Sequence, residues 1–113
     1  WGIISNKPER FTLPLAAALD WAAAPAVVVG GDTCAEAKPS VLPMLHACRQ
    51  INASPERCVY VGDAERDIQA GNAAGIHTVL AALGYIGADD RPETWGADHI
   101  ATHPADILQM ILK

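Results

Sequence analysis

Two carboxylates stand four positions apart in Gly62-Asp63-Ala64-Glu65-Arg66-Asp67, directly behind the apolar run Cys58-Val59-Tyr60-Val61. An apolar run ending in glycine and followed by acids predicts a buried strand, a turn and the first turn of a helix. If Asp63 leaves the strand and Asp67 lies one helical turn on, both side chains reach a common point. Two carboxylates about 4 Å apart repel by about 4 kcal/mol at an effective dielectric near 20, so such a pair calls for a cation. Oxygen-only ligands favour magnesium over zinc. The alternative is structural, because acids at a helix N-terminus are favoured by its dipole in any case.

Two further polar groups have comparable settings. Ser5 and Asn6 end the apolar run Trp1 to Ile4, and Asp32 with Lys38 follows the run Ala26 to Val29. A hydroxyl, turn amides and an ammonium suit phosphate oxygens, while carboxylates suit the metal that neutralises them. Each has a plainer reading as a turn residue or a solvated loop lysine.

Positioning these groups requires strands whose ends share one rim. Continuous apolar runs without alternation, at Trp1 to Ser5 and Ala26 to Val29, predict parallel strands covered on both faces, and further strands are expected at Cys58 to Val61 and Ile76 to Leu80. A brief fifth strand is expected at Asp98 to Ala101. Helices are expected from Thr12 to about Trp21, from Ser40 as cap through Pro43 to Ile51, from about Arg66 to Ala74 with Gly75 as the stop, and from Pro104 to Leu112. Gly84 to Gly96 reads as a polar loop, with Asp89 and Asp90 on its solvated surface. Alternating strands and helices imply an α/β fold with a right-handed, mostly parallel sheet, which brings Ser5, Lys38 and Asp63 to one edge.

Bulk properties narrow the functional classes. With 113 residues the chain is one domain, and at 5% aromatic its core must be built from Ala, Val, Ile and Leu. A net charge of −5 with scattered Lys and Arg argues against nucleic-acid and anionic-membrane surfaces and fits a metal or a small steered substrate. Cys34, Cys48 and Cys58 are odd in number and lack CxxC spacing, so free thiols in a reducing cytoplasm are expected. No leader is visible, and Asp20, Pro14 and Pro25 prevent the run Leu13 to Val29 from being one membrane helix. His46, His77, His99 and His103 lack HExxH spacing and read as solvent or capping residues. The start at Trp1, immediately before a strand, suggests an interior point of a longer protein.

In this order and spacing the residues resemble the haloacid dehalogenase superfamily, in its phosphoglycolate-phosphatase-like branch. Gly2-Ile3-Ile4-Ser5-Asn6-Lys7-Pro8 looks like the second family motif, Lys38-Pro39 like the third, and Gly62-Asp63-Ala64-Glu65-Arg66-Asp67 like the fourth. Gly30-Gly31-Asp32 and Ala70 to Gly75 also look like this branch. Gly84-Tyr85-Ile86-Gly87 and Trp95 to His99 resemble proteobacterial proteins called phosphoglycolate phosphatase, some of which act on N-acetylmuramic acid 6-phosphate. The resemblance implies a three-layer, Rossmann-like core and phosphomonoester hydrolysis through an aspartyl-phosphate. It implies that Ser5 and the Asn6 amide bind the phosphoryl group, that Lys38 neutralises nucleophile and phosphate, and that Asp63 holds Mg2+ with Asp67 behind it.

The first family motif, Asp-x-Asp-x-Thr after a strand, is absent, and with it the nucleophile and the acid. That strand is the central one of the family's sheet, so two inner edges are expected to lack partners. The cap domain is absent too. Residues 1–113 therefore read as the C-terminal part of a haloacid dehalogenase-like core domain, inactive alone. A missing N-terminal segment or a second chain is expected to complete the sheet, and a small phosphorylated metabolite is the expected substrate. Competing readings are a sugar-phosphate phosphatase or mutase and, from another class, a non-catalytic binding or assembly module. A phospho-acceptor receiver domain fits less well, because its lysine would follow the acids rather than precede them.

Overall fold

The structure is a computed structural model, and it describes residues 1–10, 26–82, 91–103 and 105–107. The helix expected from Thr12 to Trp21, most of the loop beginning at Gly84, and most of the helix from Pro104 lie outside the described residues.

The strands are β1 (Gly2–Ile4), β2 (Val27–Val29), β3 (Val59–Gly62), β4 (His77–Ala81) and β5 (His99–Ala101). All pairings are parallel, with Ile3 opposite Val28, Tyr60 opposite Thr78 and Leu80 opposite Ile100. Among the described residues, the helices α1 (Leu42–Gln50) and α2 (Glu65–Ala73) return the chain between strands. Each element begins or ends within about one residue of expectation. The cap of α1 is Val41 rather than Ser40, although the Ser40 hydroxyl still accepts the Leu42 N–H at 3.2 Å.

Both helices stop in the same way. Asn52 and Gly75 have left-handed backbones (φ 56° and 78°). The N–H groups of Asn52 and Ala53 return to Arg49 and Cys48, and those of Gly75 and Ile76 return to Asn72 and Gly71. This double return satisfies carbonyls the helix leaves open, and glycine adopts the required conformation without a Cβ penalty.

α1 lies against β1 and β2, and α2 against β3 and β4. Met44 and Cys48 of α1 meet Ala70 of α2 and Ile76 in one buried cluster, with Ile4, Cys58 and Tyr60 packed on it. β4 is the most enclosed strand, with Thr78, Val79 and Leu80 fully buried. Val59, Val61 and Ile100 remain 44%, 36% and 42% exposed. Among the described residues, then, the strands have one complete helical layer.

The strands form two sheets, β1-β2 and β3-β4-β5, and no pairing joins β1 to β3. Backbone bonds fix the inner edges. Ser5 N–H donates to Val29 and His77 N–H to Cys58, so by alternation Gly2, Ile4, Val59 and Val61 turn their peptide groups toward the seam. The sheet is thus a parallel α/β array that is open at its middle. Among the described residues no helix is long and apolar enough to cross a membrane.

Candidate active site

A cleft of about 430 Å³ lies where the seam meets the carboxyl ends of β1 and β3, lined by Ser5, Asn6, Lys38, Tyr60, Asp63 and Asp67 among others. Open parallel sheets bind ligands at this edge. Ser5, Asn6, Lys38, Asp63 and Asp67 are all brought to it, although 62 positions separate Ser5 from Asp67 in the chain, while Asp32 is not.

Lys38 stands at its centre. The side chain is 6% exposed, and its ammonium donates to Asp67 Oδ1 at 2.6 Å, Tyr60 Oη at 2.8 Å and the Ile4 carbonyl at 3.0 Å. An ammonium has three N–H donors, so this set is complete. The Ile4 carbonyl, which faces the seam without a strand partner, is satisfied by Lys38 and lies 3.3 Å from Tyr60 Oη. One side chain therefore bridges the two half-sheets.

The backbone of Lys38 is clamped as well. Its N–H donates to Asn6 Oδ1 at 3.0 Å, and its carbonyl accepts from Asn6 Nδ2 at 3.1 Å. The Asn6 side chain thus acts as a short strand partner that fixes the loop carrying the lysine. The Lys38–Pro39 peptide is cis. Asp32, further from the cleft, accepts the Glu9 N–H at 2.7 Å and caps the helical turn that starts there.

Asp67 is 5% exposed on its side chain and has both oxygens engaged. Oδ1 takes the Lys38 ammonium, and Oδ2 accepts the N–H groups of Asp63 and Ala64, each at 3.1 Å. The carboxylate reaches back over the first turn of α2, which is possible because Gly62 has no side chain: a Cβ there would collide with the Asp67 Cβ. Burial pushes the Asp67 carboxyl up, but the Lys38 bond and charge and the two backbone donors outweigh it and hold the group below the usual carboxylate range. Burial and the neighbouring Asp67 push the Tyr60 phenol up, so Tyr60 stays neutral beside the ammonium.

Asp63 differs from Asp67. It is exposed at the rim, and its carboxylate stays on the open side of the turn whose N–H groups Asp67 holds. The Ser5 hydroxyl accepts the Lys7 N–H at 3.1 Å and keeps its own proton for an acceptor in the cleft. No cluster of three or more His, Cys, Asp or Glu capable of holding a metal occurs among the described residues.

Two lining residues were not anticipated from sequence, Tyr60 and Arg66. Tyr60 reads as one apolar residue of a strand, yet a buried phenol must find a partner for its hydroxyl, and that requirement was the available signal. Arg66 sits between the two acids and carries its charge on the exposed side of α2.

The haloacid dehalogenase-like hydrolase model matches residues 1–75, which include all the loops just described. The chain belongs to the haloacid dehalogenase-like hydrolases. Within this family it is 50% identical to a phosphoglycolate phosphatase of Xylella fastidiosa, over 92% of this chain and 45% of the relative. It is 39% identical to an N-acetylmuramic acid 6-phosphate phosphatase of Pseudomonas aeruginosa, over 98% and 49%. A crystal structure of a predicted phosphoglycolate phosphatase from Haemophilus somnus superposes with a TM-score of 0.84 at 28% identity, covering 96% of this chain and 48% of that one. The chain spans about half the length of the curated relatives it matches. The open seam lies inside a fold these haloacid dehalogenase-like proteins share.

Proposed function

We propose that this chain is the C-terminal part of the core domain of a Mg2+-dependent phosphomonoester hydrolase of the phosphoglycolate phosphatase type. The observation that carries the reading is the buried Lys38 ammonium, held between Asp67, Tyr60 and Ile4 at a rim shared with Ser5 and Asp63. A fixed positive charge beside a hydroxyl donor suits a phosphoryl group, whose charge is spread over its oxygens.

The donor set fits Mg2+. That ion prefers oxygen, keeps several waters and is bound by one or two carboxylates together with substrate phosphate. Asp63 supplies the open carboxylate, and Asp67 acts behind it by orienting the Asp63 N–H and balancing Lys38. When bound, Mg2+ would neutralise charge on the phosphoryl oxygens. Ser5 would donate to one of those oxygens, the backbone at Asn6 would line the same side, and Lys38 would lower the cost of bringing an anionic nucleophile to an anionic ester.

The nucleophile of an aspartyl-phosphate route is not among these 113 residues. In our reading it arrives on a strand laid between β1 and β3, from an N-terminal segment or a second chain, where the peptide groups of Val59 and Val61 face the seam. The first substrate to try is phosphoglycolate and the second N-acetylmuramic acid 6-phosphate, after the names of the relatives.

The purified chain should not hydrolyse p-nitrophenyl phosphate with Mg2+, whereas a longer protein supplying the central strand should. Turnover by the chain alone would refute the half-site reading. Phosphate and Mg2+ binding without turnover by the longer protein would instead indicate a binding module.

A further inference from the structure

Cys48, in the last turn of α1, and Cys58, just ahead of β3, face each other with sulfurs 4.0 Å apart. Both line a second, mainly apolar cleft of about 80 Å³, beside Ile4, Met44 and Tyr60. Cys48 is 5% exposed and Cys58 is half-buried. The Cys48 thiol donates to the Cys58 sulfur, and the Cys58 thiol donates to the Ser54 carbonyl at 3.4 Å. A thiol–thiol contact is a weak hydrogen bond, and at 4.0 Å the two sulfurs are within a small movement of bonding distance. Cys34 is a free thiol outside the pair.

We propose that Cys48 and Cys58 form a modification site, which a small neutral peroxide converts to an intramolecular disulfide and a dithiol reductant restores. The cleft is wide enough, since a water's share of liquid volume is about 30 Å³. Cys58 is the attacking sulfur, because it is the more open of the two. Burial and the neighbouring Cys58 push the Cys48 thiol up to about 11, which keeps it protonated and leaves the first attack to Cys58.

In the first step the Cys58 thiolate bonds to one peroxide oxygen and the O–O bond breaks. The departing hydroxide takes up the proton that Cys58 had released on ionising and leaves as water, with a sulfenic acid on Cys58. The Cys48 sulfur then bonds to the Cys58 sulfur, the S–O bond breaks, and a second water leaves with the Cys48 proton. Two thiols are oxidised by two electrons and one hydrogen peroxide is reduced to two waters.

Closing the sulfurs to about 2.05 Å needs a shift of about 2 Å. The short turn Pro55–Arg57, exposed at Glu56 and Arg57, can absorb it. Cys58 is two residues from Tyr60, so the bridge would tie α1 to the strand that holds Lys38. The inference needs no substrate and is made for the chain as it stands, since Gly2, Ile4 and Val59 of the same cleft border the seam that the proposed central strand would fill.

The Cys34→Ser chain tests it. On exposure to hydrogen peroxide its intact mass should fall by two hydrogens, both iodoacetamide-reactive thiols should disappear, and dithiothreitol should restore both. Digestion should link the peptide containing Cys48 to the one starting at Cys58, and in Cys48→Ala dimedone should trap a sulfenic acid on Cys58. Added oxygen without loss of hydrogen would overturn the proposal. So would covalent dimers, or two thiols untouched at a peroxide dose that oxidises Cys34 in the unsubstituted chain. Should Cys48→Ala fail to fold, the Cys34→Ser mass decides alone.

Discussion

Replacing Asp67 by asparagine keeps the shape of the side chain and removes one acceptor. In the native site the two carboxylate oxygens receive the Lys38 ammonium and the N–H groups of Asp63 and Ala64, all donors. An amide has one oxygen and one NH2, so either orientation sets a donor against a donor. In either orientation the buried ammonium loses its counter-charge; if the NH2 faces Lys38 the ammonium also loses its acceptor, and if it faces α2 two backbone N–H groups are orphaned. With both partner side chains at most 6% exposed, solvent screens little of this. Breaking a buried pair from one side costs about 3–5 kcal/mol, and orphaning the backbone donors costs about 1–3 kcal/mol. Urea unfolding followed by circular dichroism should show Asp67→Asn destabilised by about 3 kcal/mol or more. Lys38→Met with Asp67→Asn should lose less than the sum of the single changes, because removing the ammonium relieves the clash. A single-variant loss below about 1 kcal/mol, or strict additivity of the two changes, would show that Lys38 and Asp67 do not form the coupled pair described here.

Three further outcomes follow from the same geometry. Gly62→Ala places a Cβ against Asp67 and should cost about 1–3 kcal/mol in the same unfolding assay; a neutral result would mean that the Asp67 carboxylate does not fold back over α2. Asp67 has a depressed folded pKa, so its stabilisation is complete above the unfolded value of 3.8 and is lost as pH falls through the lower folded value. Acid titration of the unfolding free energy should show this limb, and Asp67→Asn should lack it. In the longer protein Asp63→Asn should lower Mg2+-dependent turnover by about 10²-fold or more, the scale of losing one preorganised electrostatic group, while leaving the urea midpoint within error. Unchanged metal dependence would remove Asp63 from the site.

Local signals in the chain were strong where short-range sterics decide the outcome. Gly75 ends α2 because only a residue free of Cβ strain adopts φ 78° cheaply, and Pro43 sits in the first turn of α1, where its missing N–H costs nothing. Strand positions followed from unbroken apolar runs. The order Ser5, Lys38, Asp63 implied a shared rim, because right-handed crossovers leave parallel strands with their ends together. What each of these residues touches was not visible in the same way. Asn6 reads as a turn residue until it is seen to hold the backbone of Lys38, 32 positions away. Tyr60 reads as one β-former among four until its hydroxyl is found between Lys38 and Ile4.

The sequence alone settled the element types, their parallel arrangement, and the chemistry available at the strand ends, since periodicity and turn residues are local properties. Folding in three dimensions decided the different surroundings of two acids whose spacing alone does not tell them apart. Asp67 is closed in by Lys38 and the start of α2, while Asp63 faces the cleft, and nothing in GDxxxD spacing distinguishes them. The reason is that burial and partner geometry, which separate a structural carboxylate from an available one, depend on residues tens of positions away that meet only when the half-sheets come together at Lys38.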